Sequence, residues 1–409
     1  TLGEAASIFY GDPSHQLHVA GVTGTNGKTT VAFIMQHLIA SSKGRCGMLG
    51  TIRYDMGDGK TVESTHTTPD SVELHRLLDV IRNNGCAGVA MEVSSHAIDQ
   101  KRIAGIEFDA SVFTNLTQDH LDYHGGMDAY FEAKAGFFEH LTNQTVKKQA
   151  GMIINTDDPA GRKLAERFAG KACITTYGMG YGVDFRVSDI TTTISMTSYS
   201  LEVKGRSLLV RLPLIGRFNV FNSVAALAAV HCMGYNLREA VVNLAQTPQV
   251  PGRLQSVGSQ KNFRVFVDYA HTPDALENVL KTLRGLSPRR IITVFGCGGD
   301  RDATKRPLMG GAVESLSDHI IITSDNPRSE DPEKILSEIE KGMRGRTYTK
   351  IVDREAAISL AVEIARDGDI ILIAGKGHEN YQIFADRTIA FDDVKVAARF
   401  LRDKKIASE

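Results

Sequence analysis

Gly24-Thr25-Asn26-Gly27-Lys28-Thr29 gathers two glycines, a lysine and hydroxyl groups between a strand pattern and a helix pattern. Backbone N–H groups in such a turn can surround an anion, and the following helix N-terminus adds the positive end of its dipole. Lys28 would reach the outer phosphates of a nucleotide, and the Thr29 hydroxyl would ligate Mg²⁺. Gly24, Thr25, Asn26, Gly27 and Thr30 complete the candidate ATP loop. The spacing departs from the strict G-x4-G-K pattern, because Val22 stands at the first glycine position and the nearest upstream glycine is Gly21. That departure argues against the common GTPases. A glycine turn that merely caps a helix is the bland alternative, and the strand–loop–helix order disfavours it.

Met91-Glu92-Val93-Ser94-Ser95-His96 closes a later strand pattern, and Thr114 to Gly125 follows another with a dense polar run. In open α/β sheets, ligands bind at the C-terminal ends of strands. Glu92 is therefore a candidate Mg²⁺ ligand, although acidic residues also end strands for solvation. His120 lies after a strand at the same edge, which favours metal contact over a structural histidine. Lys134, flanked by aromatics in an amphipathic segment, reads from spacing alone as a snorkelling surface lysine.

The elements that must carry these groups follow an α/β rhythm. Leu17–Val22, Ala87–Val93, Phe108–Leu116 and a segment from Met152 are apolar strand candidates. Val31, Ile34, Met35 and Leu38 recur at helical spacing. Such alternation implies a mostly parallel sheet covered on both faces. From about residue 180 the chain turns rich in Thr, Ser and Val, which predicts antiparallel strands with a turn at Lys204–Gly205. A helix is expected from about Phe218 to Met233. Gln246–Arg253 carries two prolines and a glycine and marks a boundary. Beyond it, further strands and helices form a second α/β unit, including a helix with Thr272 as N-cap and Pro273 at its first position.

At 409 residues the chain is long enough for two or three domains. With 47 basic and 48 acidic residues, no global charge excess points to nucleic acid or a lipid surface. No apolar run approaches the ~20 residues of a membrane span. Five scattered cysteines without a CxxC pair read as reduced core thiols of a cytoplasmic protein.

GVTGTNGKTT, TTPD, MEVSSH, TNLTQDHLDYHG, EAK, FNVFN, VDYAHTPDAL, CGGDRDATKRP, SDNPRSEDP and GKGHE occur in that order. From about residue 17 to the end, this pattern resembles the Mur ligase family, in the branch that adds the third residue of the peptidoglycan stem. The resemblance implies a linker remnant at 1–16, a central ATP-binding domain at 17–248 and a C-terminal Rossmann-like, amino-acid-binding domain at 249–409. The family's N-terminal UDP-binding domain is not in this sequence, and Ala5–Gly11 is expected to be the linker that follows it. The implied reaction is ATP-dependent: the muramoyl-dipeptide carboxylate becomes an acyl phosphate, and the incoming amine displaces phosphate.

Residue by residue, the resemblance implies one Mg²⁺ at Thr29 and Glu92 and a second near His120, with Lys134 carbamylated into an anionic ligand. Asn222 would contact adenine, Asp268 the ribose and Arg253 the γ-phosphate. Thr67, Thr68, Ser94 and Arg102 would hold UDP-N-acetylmuramoyl-L-alanyl-D-glutamate; Thr67–Thr68 could equally cap a helix ahead of Pro69. Asp325-Asn326-Pro327-Arg328 resembles the signature of ligases that add meso-diaminopimelate, whose extra carboxylate suits a guanidinium fork. Arg301, Gly375 and Glu379 match positions around the same amino acid. A monomer is expected, with neither nucleic acid nor membrane as partner. The alternatives are an L-lysine-adding or folylpolyglutamate-type ligase, an ATP-binding module inactive in ligation, and a P-loop switch.

Overall fold

The computed structural model describes residues 1–258, 262–345 and 348–406. The chain divides into two compact units, Thr1–Pro248 and Gln249–Glu409. In the first, one sheet runs in the order Arg206–Leu212, Thr197–Val203, Phe185–Thr192, Cys173–Gly178, Gly151–Asn155, Ala110–Phe113, His18–Thr23, Gly88–Glu92, Cys46–Leu49, Arg53–Asp55, Thr61–Glu63. The strands from Phe185–Thr192 to Cys46–Leu49 are parallel, and both ends of the sheet finish in antiparallel strands.

The central strands are buried along their whole length, because helices cover both faces. Val89, Met91, Phe113 and Ile154 of these strands share one core cluster with Leu74, Leu78, Phe137 and Phe138 of the helices. The strand His18–Thr23 sits between Gly88–Glu92 and Ala110–Phe113, so the sheet's direction of growth reverses there. A crevice at such a reversal is where open α/β sheets bind ligands.

The expected turn is present: Val203 pairs with Arg206, and Lys204 and Gly205 take φ of 50° and 73°. Positive φ at both central positions makes a turn whose twist matches the strands. The expected helix spans Arg217–Cys232. Ala5–Gly11, expected to be a linker, lies mostly within the helix Leu2–Phe9, which packs on Ser71–Asn83. The Cys46–Leu49 strand and the hairpin beyond it were not legible in the sequence, since their apolar runs are only a few residues long.

The second unit has a sheet in the order Gln255–Ser256, Arg264–Asp268, Ile370–Ala374, Ile291–Phe295, His319–Ile322, Tyr348–Lys350. All but the first edge pair are parallel. Asp268, Gly375 and Asp325 all lie at or just past the C-terminal ends of these strands. A small hairpin, Tyr381–Ile383 with Thr388–Ala390, stands beside them in sequence. Thr272 caps the helix Pro273–Arg284 as expected, accepting from the Ala275 N–H.

Among the described residues, no helix is long and apolar enough to cross a membrane. The cysteines are free; Cys46, Cys86 and Cys297 are buried, but Cys173 is exposed, so the core reading holds only for part of the set.

Candidate active site

The loop after His18–Thr23 is held by its neighbour in the sheet. The Thr25 and Asn26 N–H groups donate to the carbonyl and the side-chain oxygen of Asn115, each at 2.9 Å. Thr114 Oγ1 donates to the Asn26 carbonyl at 2.7 Å. Gly24 has φ of 145°, and a Cβ there would strike Thr114 Oγ1. Gly27 has φ of 91°, and its Cβ would strike Asn222 Oδ1. Both positions thus require glycine. Asn222, nearly two hundred residues away on the helix Arg217–Cys232, is thereby brought against the loop. Gly27 also precedes the helix Lys28–Lys43 and has no side chain to cap it.

Thr29 Oγ1 donates to Glu92 Oε2 at 3.1 Å. Glu92 is 1% exposed. Its other donors are the Thr51 N–H at 2.8 Å and the Thr51 hydroxyl at 3.1 Å. Among the described residues no cation pairs with this buried carboxylate. An anion held by neutral donors beside a hydroxyl is a hard-oxygen site, and it fits a divalent cation. Gly50 permits the approach, since a Cβ there would run into Glu92.

Lys134 is buried, not snorkelling; it is 1% exposed. The spacing misled because the Tyr130 ring and the Gly24 loop, the latter remote in the chain, enclose the ammonium. Its ammonium lies 4.4 Å from the Tyr130 ring centroid and donates to the Gly24 carbonyl at 3.0 Å. Lys28 Nζ donates to the same carbonyl at 2.9 Å and to that of Thr25 at 2.8 Å. Burial, and then the Lys28 charge, push the Lys134 amine well below its ordinary value. His120 takes a left-handed conformation, φ 52°, and its ring stands 5.0 Å from that of His96. Partial desolvation lowers its imidazole to about 4, although Asp119 opposes the shift. A neutral imidazole is the form that ligates metal. No hydrogen bond joins His120 to Glu92 or Thr29 among the described residues.

Thr67, Thr68, Ser94 and Arg102 form one group. Thr68 Oγ1 donates to the Glu92 carbonyl at 2.9 Å and accepts from the Ser94 N–H at 3.1 Å. Arg102 Nη1 donates to the Thr68 carbonyl at 2.9 Å. Thr67 and Thr51 hydroxyls are 3.1 Å apart. The helix after Pro69 begins at Ser71 with Asp70 as its N-cap, so the capping role read for Thr67–Thr68 is not realised.

In the second unit, Asp268 accepts from the N–H groups of Leu254 at 2.6 Å and Ala270 at 2.8 Å. Burial raises its carboxyl, while Arg253 opposes the shift. The Arg253 guanidinium sits 4.7 Å over the Tyr269 ring. Asn326 Nδ2 donates to Glu379 Oε2 at 2.8 Å. Arg328, at φ 52°, donates to the Gly299 carbonyl at 2.7 Å. Gly375 has φ of 113°, and a Cβ there would meet Asp325 Oδ2. Asp325, Asn326, Arg328, Gly375 and Glu379 are therefore one cluster. Arg301 is exposed and bonds the carbonyl of its neighbour Asp300 at 3.1 Å.

Residues 22–230 match the family model of the Mur ligase middle domain, and residues 252–377 match that of the Mur ligase, glutamate ligase domain. The chain belongs to the Mur ligase family. Among relatives of this Mur ligase is the UDP-N-acetylmuramoyl-L-alanyl-D-glutamate–2,6-diaminopimelate ligase of Geobacillus thermodenitrificans, 43% identical over 98% of this chain and 82% of that relative. The same-named ligase of Geobacillus kaustophilus is 44% identical with the same coverage. A solved structure of a ligase of that name superposes with a TM-score of 0.68 at 37% identity, covering 95% of this chain and 79% of the other. A Mycobacterium tuberculosis folylpolyglutamate synthase has a TM-score of 0.74 at 19% identity, covering 98% of this chain and 94% of that one, which shows a shared fold only.

Three groups of this Mur ligase were missed in the sequence reading. Thr51 supplies two donors to Glu92, but nothing in its spacing marks it. Lys376 is fully buried and donates to Asn326 Oδ1 at 3.2 Å and Glu379 Oε2 at 3.1 Å. Its signal is the GKGHE run, in which Lys376 stands between two glycines. Arg354 pairs with Asp393, both fully buried, at 2.8 Å. It also donates to the carbonyls of Ser324 at 3.2 Å and Ala374 at 3.0 Å, and so ties together the strand ends that precede Asp325 and Gly375.

Proposed function

We propose that this Mur ligase adds meso-diaminopimelate to UDP-N-acetylmuramoyl-L-alanyl-D-glutamate, using ATP and passing through an acyl phosphate. The single observation that carries this reading is the convergence of Thr29, Glu92, Lys28 and Lys134 around the Gly24 loop in a chain whose relatives bear that name. The loop amides, Thr25, Asn26, Thr30 and Lys28 bind the phosphates, Asn222 the adenine, Asp268 the ribose and Arg253 the γ-phosphate. Thr29 and Glu92 would hold Mg²⁺ and His120 would approach a second ion, which together would supply positive charge where two anions must meet.

A neutral Lys134 amine can add CO₂, releasing a proton and becoming a carbamate. That product places negative charge where two ammonium groups otherwise crowd one carbonyl. Thr67, Thr68, Ser94 and Arg102 position the muramoyl dipeptide, whose carboxylate oxygen attacks the γ-phosphorus. Asp325, Asn326, Arg328, Gly375, Glu379 and, at the rim, Arg301 hold the amino acid whose amine then expels phosphate. Arg328 favours a carboxylate-bearing side chain over that of lysine. In this reading the protein acts as a monomer in the cytoplasm.

An ¹⁸O label tests the route. With the dipeptide carboxylate labelled, one ¹⁸O should appear in the released phosphate. Unlabelled phosphate would contradict an acyl phosphate.

A further inference from the structure

The amino-acid cluster holds a cation that the reading above does not use. Lys376 is 0% exposed, yet its ammonium lies within the cluster, between Asn326 Oδ1 and Glu379 Oε2. Its position orders both neighbours. The Ile383 N–H, which can only donate, bonds Asn326 Oδ1 at 3.0 Å. Lys376 reinforces that orientation, which turns the Asn326 amide N–H₂ towards Glu379. Glu379 Oε2 is thus engaged twice, and Oε1 has no hydrogen-bond partner among the described residues. The carboxylate presents one oxygen, fixed in place.

The charges have a further consequence. Within the cluster Arg328 and Lys376 are positive and Asp325 and Glu379 negative, the Arg354–Asp393 pair beneath is neutral, and Arg301 stands outside in solvent at the rim. A cluster balanced in this way suits a side-chain end that is itself balanced, carrying an ammonium and a carboxylate together. Without Lys376 the same cluster has a net negative charge and suits a lone ammonium. Because Lys376 is desolvated, its charge acts on these neighbours with little screening.

We infer that Lys376 is a specificity-positioning residue: it orients Asn326 and Glu379 and sets the pocket's charge so that a zwitterionic side-chain end is preferred to a simple cationic one. This inference rests on the amino-acid site proposed above.

The test uses full-length protein and three variants, with phosphate release followed for meso-diaminopimelate and for L-lysine. Lys376→Met should raise the KM for diaminopimelate ~10-fold or more, leave kcat within ~3-fold, and narrow the diaminopimelate-to-lysine preference ~10-fold, as expected for a lost polar and charge contact. Lys376→Gln, which keeps a donor without the charge, should narrow the preference while retaining more affinity; it carries the test if the Met variant does not fold. Lys376→Arg should hold the preference nearer to wild type than Met does. KM for ATP should not move in any variant. An unchanged preference in folded Met or Gln protein, or equal losses for both amino acids, would overturn the inference. A wild-type enzyme that prefers lysine would instead overturn the assigned substrate, and the direction of the preference shift in the variants would still judge Lys376.

Discussion

Lys28 and Lys134 donate to the same carbonyl oxygen, that of Gly24, at 2.9 and 3.0 Å. Two ammonium groups on one acceptor repel each other, and the buried one has no solvent to stabilise its charge. The low proton affinity of the Lys134 amine follows first from burial and then from this pairing. A lowered proton affinity favours the neutral amine, the form that adds CO₂. Ligation should therefore depend on dissolved CO₂. In CO₂-depleted buffer the rate should fall and bicarbonate should restore it, whereas Lys134→Arg protein should be folded, slow by ~100-fold or more, and insensitive to bicarbonate. A bicarbonate-independent wild type would count against the carbamate.

Thr51 should matter as much as a direct ligand's partner does. Thr51→Val removes one of its two donors to Glu92 and leaves the other, the N–H, in place. The Mg²⁺ concentration giving half-maximal rate should rise ~10-fold, within the range seen when a partner of a metal ligand is lost. Unchanged Mg²⁺ dependence would show that Glu92 is oriented without the hydroxyl.

Arg354→Met leaves Asp393 buried without its partner and frees two strand-end carbonyls. The second unit should lose ~3–5 kcal/mol, the usual cost of breaking a buried pair from one side. The double variant Arg354→Met with Asp393→Leu should recover part of that loss. Thermal unfolding of the three proteins measures both effects.

Acid should destabilise the second unit through His378. Burial, with Arg253 and Lys376 nearby, lowers its imidazole to about 3, and its Nδ1 is buried without a hydrogen bond. The folded state therefore resists a proton that the unfolded chain takes up below about 6.5. Stability is full above that value and falls as pH drops towards 3, by ~1.4 kcal/mol per pH unit at most for one group. His378→Gln should flatten the melting temperature between pH 7 and pH 5 relative to wild type. An equal slope in both proteins would assign the acid sensitivity elsewhere.

Much of this site was legible in the sequence because its parts are local. A glycine loop between strand and helix, Glu92 at a strand end, and Arg328 after a proline each carry their meaning within a few residues. The Lys204–Gly205 turn and the Thr272 cap were legible for the same reason. What escaped notice depends on partners distant in the chain. Lys134 looks like a surface lysine until Tyr130 and the Gly24 loop enclose it. Thr51 gains meaning only from Glu92, forty-one residues later. Thr68 looks like a helix cap, yet its hydroxyl serves the backbone of the strand beside it. Arg354 and Asp393 stand thirty-nine residues apart on different helices, and only the fold pairs them.

The most direct test of the account is the choice of amino acid by full-length protein. Phosphate release from ATP, with UDP-N-acetylmuramoyl-L-alanyl-D-glutamate and either meso-diaminopimelate or L-lysine, should be strong with the first and at least ~100-fold weaker with the second, since the site is built to pair a group that lysine lacks. Arg328→Lys should erode that preference. Equal rates with both amino acids, or a preference for lysine, would contradict the account.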